Sequence, residues 1–373
     1  MYLDFFMSSS LPKGFSKPEN SRLKLTKNRG GTSKHRTAPS AINCFGSLLR
    51  QTAKPCHDDR TTKLQANYTR ENVVRLAYLI LAHNAPTHLG RLIAALQPTG
   101  GTVFVHVDVR SDERPFREAT MGMPVVFVPF HQRMAIHWCG FSMVEATLRL
   151  VKMAFTDGAD RFVLMSGTDY PVKSPAALRA YLEQDLEFIQ IDRLLDPLGN
   201  SHFDRCANRA FAGDFTLSNP RTGRPGLVNL VERVAAYLPR RTYSLPIYYG
   251  PSWWALTRTA IADILRIWRD EPTAIAWFRF SRSPDEMVFQ TLLKSSSRSH
   301  KLAFDATIPE FTIPRHRAAL HYANWDRPNP AVPRIVEQED YDEILASGAL
   351  FVRKIDPVRS KNLIDNLDAY NMK

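Results

Sequence analysis

The sequence predicts an α/β domain built on a mainly parallel central sheet. Several stretches of strand length are continuously apolar, which suits strands buried on both faces. Amphipathic, helix-length segments separate most of them, and polar residues close each run.

The first run, LAYLILAHN at 76–84, follows Arg75 and ends in His83 and Asn84. APTHLGRLIAAL then places Leu89, Leu92, Ile93 and Leu96 at helical spacing. After a Pro-Thr-Gly-Gly break, TVFVHVDVR (102–110) reads as a second strand carrying His106 and Asp108 near its end, and PVVFVPF (124–130) as a third. FSMVEATLRLVKMAF (141–155) is an amphipathic helix, and RFVLMSGTDYPV (161–172) a fourth strand that breaks at Ser166-Gly167. LEFIQIDRL (186–194) is a further strand. A polar, irregular loop runs from Leu195 to Pro225, and a stretch that long inside a domain is more often functional than idle. LVNLVERVAAYL (227–238) returns to helix, 247–268 forms an aromatic turn, a short strand and a helix, and Arg282–Lys294 starts another helix. Open parallel sheets bind ligands beyond the carboxyl ends of their strands, so the polar ends at His83, His106–Asp108 and Ser166–Asp169 mark the candidate site.

Residues 1–70 read differently. They are rich in Ser, Lys, Thr, Asn, Gly and Pro without periodicity, as expected of a solvated, disordered tail. Between Phe5 and His57 ten Lys or Arg oppose one acid, Glu19, leaving only +3 of the net +12 for the rest. A nucleic-acid partner is therefore not expected, although such a tail suits peripheral contact with an anionic membrane. Residues 71–373 are read as one catalytic domain ending in a helix. No apolar run of membrane-spanning length occurs. The four cysteines lack metal or disulfide-framework spacing, which points to a reducing, cytoplasmic setting.

Each motif has a plain reading beside a functional one. In RSPDEMVFQTLLK (282–294), Ser283 suits an N-cap, Pro284 the first turn, and Asp285 and Glu286 the positive end of the helix dipole. HVD offers one carboxylate, Asp108, too few for a hard divalent ion but enough for a hydrogen bond to a ribose or base. SGTDYPV, with Asp169, has the composition of a turn. In GPSWWALTR, Trp253 and Trp254 face opposite sides of a strand, so both pack in a core or one stacks on a sugar. Arg353 and Lys354, closing LFVRKID, are surface charge or an electrostatic clamp for phosphate.

Taken in order, AYLILAHN, HVD, WCGFS, LMSGTDYPV, GPSWWALTR, SPDEMVFQTLL, HYANWD and LFVRKID resemble the core-2/I-branching glycosyltransferase family, across about residues 75–356. That family includes β-1,6-N-acetylglucosaminyltransferases and protein O-xylosyltransferases. The resemblance implies a GT-A-type fold and an inverting transferase that moves a sugar, N-acetylglucosamine or xylose, from a UDP-sugar to a hydroxyl of a glycan or protein without a cofactor or divalent metal. It matches Glu286 to the general base, with Asp285 orienting or capping. Lys354, with Arg353 beside it, matches the cation that replaces a metal on the diphosphate. Asp108 and His83 fall in the nucleotide pocket. Trp253 and Trp254 fall in the sugar and acceptor region, and Asp169 is assigned there too. A second clamping arginine of the family falls near His321, so Arg353 or Arg327 would have to supply that contact. The disulfides of the animal secretory members are missing, and a bacterial-type version is expected. The competing expectation is a catalytically silent sugar-binding or assembly protein that retains the fold.

Overall fold

In the large sheet, β1 (Leu76–Ala82) lies between β2 (Thr102–Val107) and β4 (Arg161–Ser166), parallel to both. All seven residues of β1 are buried, because the sheet is covered on both faces. The computed structural model describes residues 73–196, 245–309, 311–326 and 333–372, with residues 199, 201, 204, 214, 230 and 234; all lie in a unit spanning Asn67–Lys373. The expected tail at 1–70, nearly all of the 195–225 loop beyond Asp196, the 227–238 helix except Leu230 and Val234, and Arg327 fall outside the described residues.

The sheet has the order β10-β6-β9-β4-β1-β2-β3, where β3 is Val125–Phe127, β6 Glu187–Ile191, β9 Ala255–Thr257 and β10 Leu302–Asp305. Only β9 opposes the common direction, being antiparallel to both β4 and β6. The α/β expectation, a mainly parallel sheet flanked by helices, is met.

Alternate residues of β1 enter two separate cores. Ala77, Leu79 and Leu81 pack with Leu148 and Val151 of the helix Ser142–Asp157, and with Ile261 and Ile264 of Arg258–Asp270. Leu76, Tyr78 and Ile80 pack with Leu89, Leu92 and Ile93 of the helix Pro86–Leu96, and with Leu363 and Leu367 of the C-terminal helix Lys361–Asn371. Each fully buried Leu or Ile is worth about 1.5–3 kcal/mol, so both faces hold the sheet firmly. The C-terminal helix is also fixed by charge: Arg91 reaches Asp365 at 2.7 Å and Asp368 at 2.6 Å, and the Tyr170 hydroxyl donates to Asp368 at 2.7 Å.

The stretches read as single strands at 161–172 and 186–194 each divide. After β4 the chain turns and re-enters as β5 (Tyr170–Pro171) in a second sheet of order β11-β12-β13-β5. There β11 is Arg317–Ala318, β12 His321–Ala323 and β13 Phe351–Arg353. After β6 the chain bends at Asp192, and β7 (Arg193–Leu194) pairs with β8 (Tyr248–Tyr249) as a two-stranded ribbon. No helix among the described residues is long and apolar enough to cross a membrane.

Candidate active site

The carboxyl ends of β1, β2 and β4 are stitched into one edge. The Asp108 amide donates to the Ala82 carbonyl at 2.9 Å and the Gly167 amide to Leu81 at 2.8 Å; the Ser111 hydroxyl donates to the carbonyl of exposed His83 at 2.7 Å. Asp108 is nearly enclosed and fully engaged. Arg110 donates to both of its oxygens, at 2.9 and 2.6 Å, and the Ile136 amide donates at 2.9 Å. Burial pushes this carboxyl up, but those donors outweigh it and hold it at about 2.

The second sheet brings three distant residues together above this edge. Asp169, just before β5, is 0% exposed, which leaves it no surface for a sugar or acceptor; the sequence expectation for it is corrected accordingly. Its Oδ2 accepts from the Ser166 amide at 2.7 Å and lies 3.1 Å from Nε2 of His321 on β12. Its Oδ1 lies 3.8 Å from Nε of Arg353, the last residue of β13. Burial opposes its ionisation, yet Arg353 and then His321 hold it below the ordinary carboxylate range. The Arg353 guanidinium sits 4.2 Å from the ring centre of Trp253, a cation–π contact. Burial lowers the proton affinity of Arg353 while Asp169 and Glu286 oppose that, and the group remains a cation. Lys354 follows through a cis peptide, and its carbonyl accepts from the Val336 amide at 3.1 Å. His321, neutral because burial lowers its proton affinity, is flanked by the rings of Trp253 and Phe351.

The two tryptophans part company here. Trp254 is 0% exposed and packs on Phe289, so it cannot line a ligand, contrary to its assignment from sequence. Trp253 is also buried, at 8%, but against Arg353 and His321.

The SPDE segment forms the opposite side. Ser283 is not a side-chain N-cap: it holds a left-handed φ of 51° and its amide donates to the Cys139 carbonyl at 2.9 Å. Pro284–Glu286 form a 3-10 turn, and the α-helix begins only at Val288, running to Lys294. Cys139 mirrors the strain with a φ of 61°, and burial pushes its thiol up to about 12, which leaves it inert as a nucleophile. Asp285 is buried and accepts from the Ser252 hydroxyl at 2.6 Å. Glu286 accepts from the Tyr249 hydroxyl at 2.5 Å. Burial and the neighbouring Asp285 carboxylate drive the Glu286 carboxyl up to about 8, with Asp192 adding to the rise; Tyr249 and Arg282 act against it. Gly250 fixes the turn beneath. Its amide donates to the Glu286 carbonyl at 3.0 Å, and a Cβ there would stand 2.0 Å from the Gln190 carbonyl oxygen, so no larger residue fits.

Arg353 links the two sides, lying against Asp169 and Trp253 and acting on the ionisation of Glu286. Residues 76–345 match the family described as Core-2/I-Branching enzyme. The chain belongs to the core-2/I-branching enzyme family. On that ground it is an enzyme, a glycosyltransferase. It is 24% identical to the β-glucuronosyltransferase GlcAT14B of Arabidopsis thaliana, over 93% of this chain and 77% of that protein. It is also 24% identical to xylosyltransferase 2 of Bos taurus, over 87% of this chain but only 38% of that protein. Among solved structures, the glucosyl-3-phosphoglycerate synthase of Mycobacterium tuberculosis, in complex with Mn²⁺, UDP-glucose and phosphoglyceric acid, matches 60% of this chain and 73% of that one at 14% identity, with a TM-score of 0.25.

Several residues of this core-2/I-branching enzyme's site escaped the sequence reading. Asp192 closes β6 on the same edge as Asp108 and Asp169, since β6 runs parallel to β4 through β9. It ends an apolar strand with a carboxylate, the same signal that marked the other two. Tyr249 and Ser252, the partners of the two acids, carry no distinguishing local pattern. Among the described residues, no group of three or more His, Cys, Asp or Glu side chains is arranged to hold a metal ion.

Proposed function

We propose that this protein is an inverting glycosyltransferase that moves the sugar of a UDP-sugar onto a hydroxyl of a glycan or protein, with Glu286 as general base and the Arg353-Lys354 pair as the cation for the departing diphosphate. The observation that carries the reading is the state of Glu286. It is a half-buried carboxyl bonded by the Tyr249 hydroxyl beside buried Asp285, its proton affinity is raised to about 8, and it influences the ionisation of the Arg353 guanidinium.

In this reading the acceptor oxygen attacks the anomeric carbon as Glu286 takes its proton. The bond from that carbon to the diphosphate oxygen breaks on the opposite face, and UDP leaves with the electron pair. A carboxylate with raised proton affinity suits the first event, because a general base works best with a pKa near the working pH; such a base supplies roughly 10²–10⁴-fold. Charge appears on the diphosphate as it departs, and Arg353, held by Asp169 and Trp253, is placed for that charge without reorganising. His83 and Asp108 lie at the strand ends where the nucleotide would bind; Asp108, engaged by Arg110, then acts by fixing that edge and not by holding a metal ion. Xylose and N-acetylglucosamine are the donor sugars we favour.

Glu286→Gln is expected to abolish transfer, by at least ~10²-fold, while UDP affinity measured by calorimetry stays within about twofold. Wild-type turnover in that variant would remove Glu286 from the chemistry. Activity is expected to persist after exhaustive EDTA treatment; a strict need for added Mn²⁺ would refute the role given to the cation pair. UDP binding without any turnover of UDP-sugars, by transfer or hydrolysis, would favour a silent binding protein.

A further inference from the structure

Two kinds of donor are represented among the relatives: a neutral sugar without a charged substituent, and a uronic acid whose C5 carboxylate adds a charge. Asp192 follows β6, next to the Tyr249–Glu286 pair. The Asp192 amide donates to the Tyr249 carbonyl at 2.8 Å, and the hydroxyl of that same tyrosine donates to Glu286 at 2.5 Å. The β7–β8 ribbon, which pairs Arg193 with Tyr249, therefore fixes Asp192 beside the acid. Gln190 Nε2 donates to Asp192 Oδ1 at 2.7 Å, and the residue is only partly buried.

Around Glu286 stand Asp285 from the same turn, Asp192 from the end of β6, the Cys139 thiol, the Tyr249 hydroxyl, and two cations, Arg282 and Arg353. Arg353 is matched by buried Asp169, and the proposed diphosphate would claim it further. Arg282 is exposed, and its influence on Glu286 is smaller than that of Asp192.

We infer that Asp192 is a specificity-determining residue that hydrogen-bonds hydroxyls of a neutral donor sugar and repels a uronic acid. Carboxylates accept strong hydrogen bonds from sugar hydroxyls. A uronate brought next to Asp192 would meet a like charge in a partly desolvated site, where a repulsion of this kind amounts to roughly 10–100-fold in binding. The inference rests on the UDP-sugar reading of the site given above.

The test measures UDP affinity by calorimetry, then kcat/KM for hydrolysis of UDP-xylose, UDP-N-acetylglucosamine and UDP-glucuronate, in wild type, Asp192→Asn and Arg282→Ala. The expected result is that at least one neutral donor exceeds UDP-glucuronate by ~100-fold. Asp192→Asn narrows that ratio by roughly tenfold through both a slower neutral donor and a faster uronate, with UDP affinity unchanged. Arg282→Ala leaves the ratio in place. Preference of the wild type for UDP-glucuronate, a ratio indifferent to Asp192→Asn, or a uronate activity that depends on Arg282 would each overturn the assignment while leaving the UDP-sugar reading standing. Failure of wild type to bind UDP at all would overturn both.

Discussion

Asp169 is a fully enclosed carboxylate and Glu286 a half-buried one, yet their protons behave oppositely. Asp169 lies against Arg353, His321 and the Ser166 amide, and it stays ionised below the ordinary range. Glu286 has a phenol, two carboxylates and the weaker opposing influence of Arg282 for company, and its carboxyl rises to about 8. Burial raises the proton affinity of each, so the neighbours decide the outcome. An acid matched by a cation stays ionised; one set among acids holds its proton.

The largest expected effect comes from breaking the matched side. Asp169→Ala would strand the Arg353 guanidinium in its buried setting, and an uncompensated buried charge costs about 3–5 kcal/mol. Urea unfolding should show most of that loss, and a change under ~1 kcal/mol would mean that Arg353 finds water or another partner unaided.

Stability against pH separates the two acids next. A carboxyl with raised proton affinity in the fold keeps its proton where the unfolded chain has released it. Glu286 should therefore cost stability as pH rises from about 4.5 to about 8, by an amount on the order of a few kcal/mol. Asp169 runs the other way, contributing stability above its unfolded pKa that is lost as pH falls through its lower folded value. Glu286→Gln should thus gain on wild type in Tm between pH 5 and pH 8, and parallel Tm curves for the two proteins would contradict the raised proton affinity.

The smallest effect sharpens the unmatched side. The Tyr249 hydroxyl favours the ionised form of Glu286, so Tyr249→Phe should move the acid limb of the kcat/KM profile to higher pH. The rate near pH 7 should fall roughly tenfold and recover above the limb, as expected for one lost hydrogen bond to a charged group. An unshifted limb would show that the tyrosine does not act through Glu286.

Much of this was legible in the sequence because it is local. Runs such as 76–82 and 102–107 announce doubly covered strands, and polar residues at their ends point to the edge where the candidate site is sought. What could not be read was pairing at a distance. Asp169 read as part of a turn at a strand end, and nothing near it in the chain tells that His321 and Arg353 arrive to enclose it. The N-cap expected at Ser283 failed for the same reason: its amide is drawn to Cys139, from another part of the chain, which holds the residue left-handed and delays the helix to Val288. Trp254 faced the core and not a sugar because the helix that follows Glu286 brings Phe289 against it.

The four-stranded sheet draws β5 at Tyr170–Pro171 together with β12 at His321–Ala323 and β13 at Phe351–Arg353. During synthesis, the Asp169 carboxylate would leave the ribosome long before the guanidinium that neutralises it. The parallel strands β1, β2 and β4 can pair early, but Asp169 gains Arg353 only after residue 353 emerges. Until then the acid lacks the cation that holds it ionised in the fold, so the four-stranded sheet is among the later parts of this unit to close.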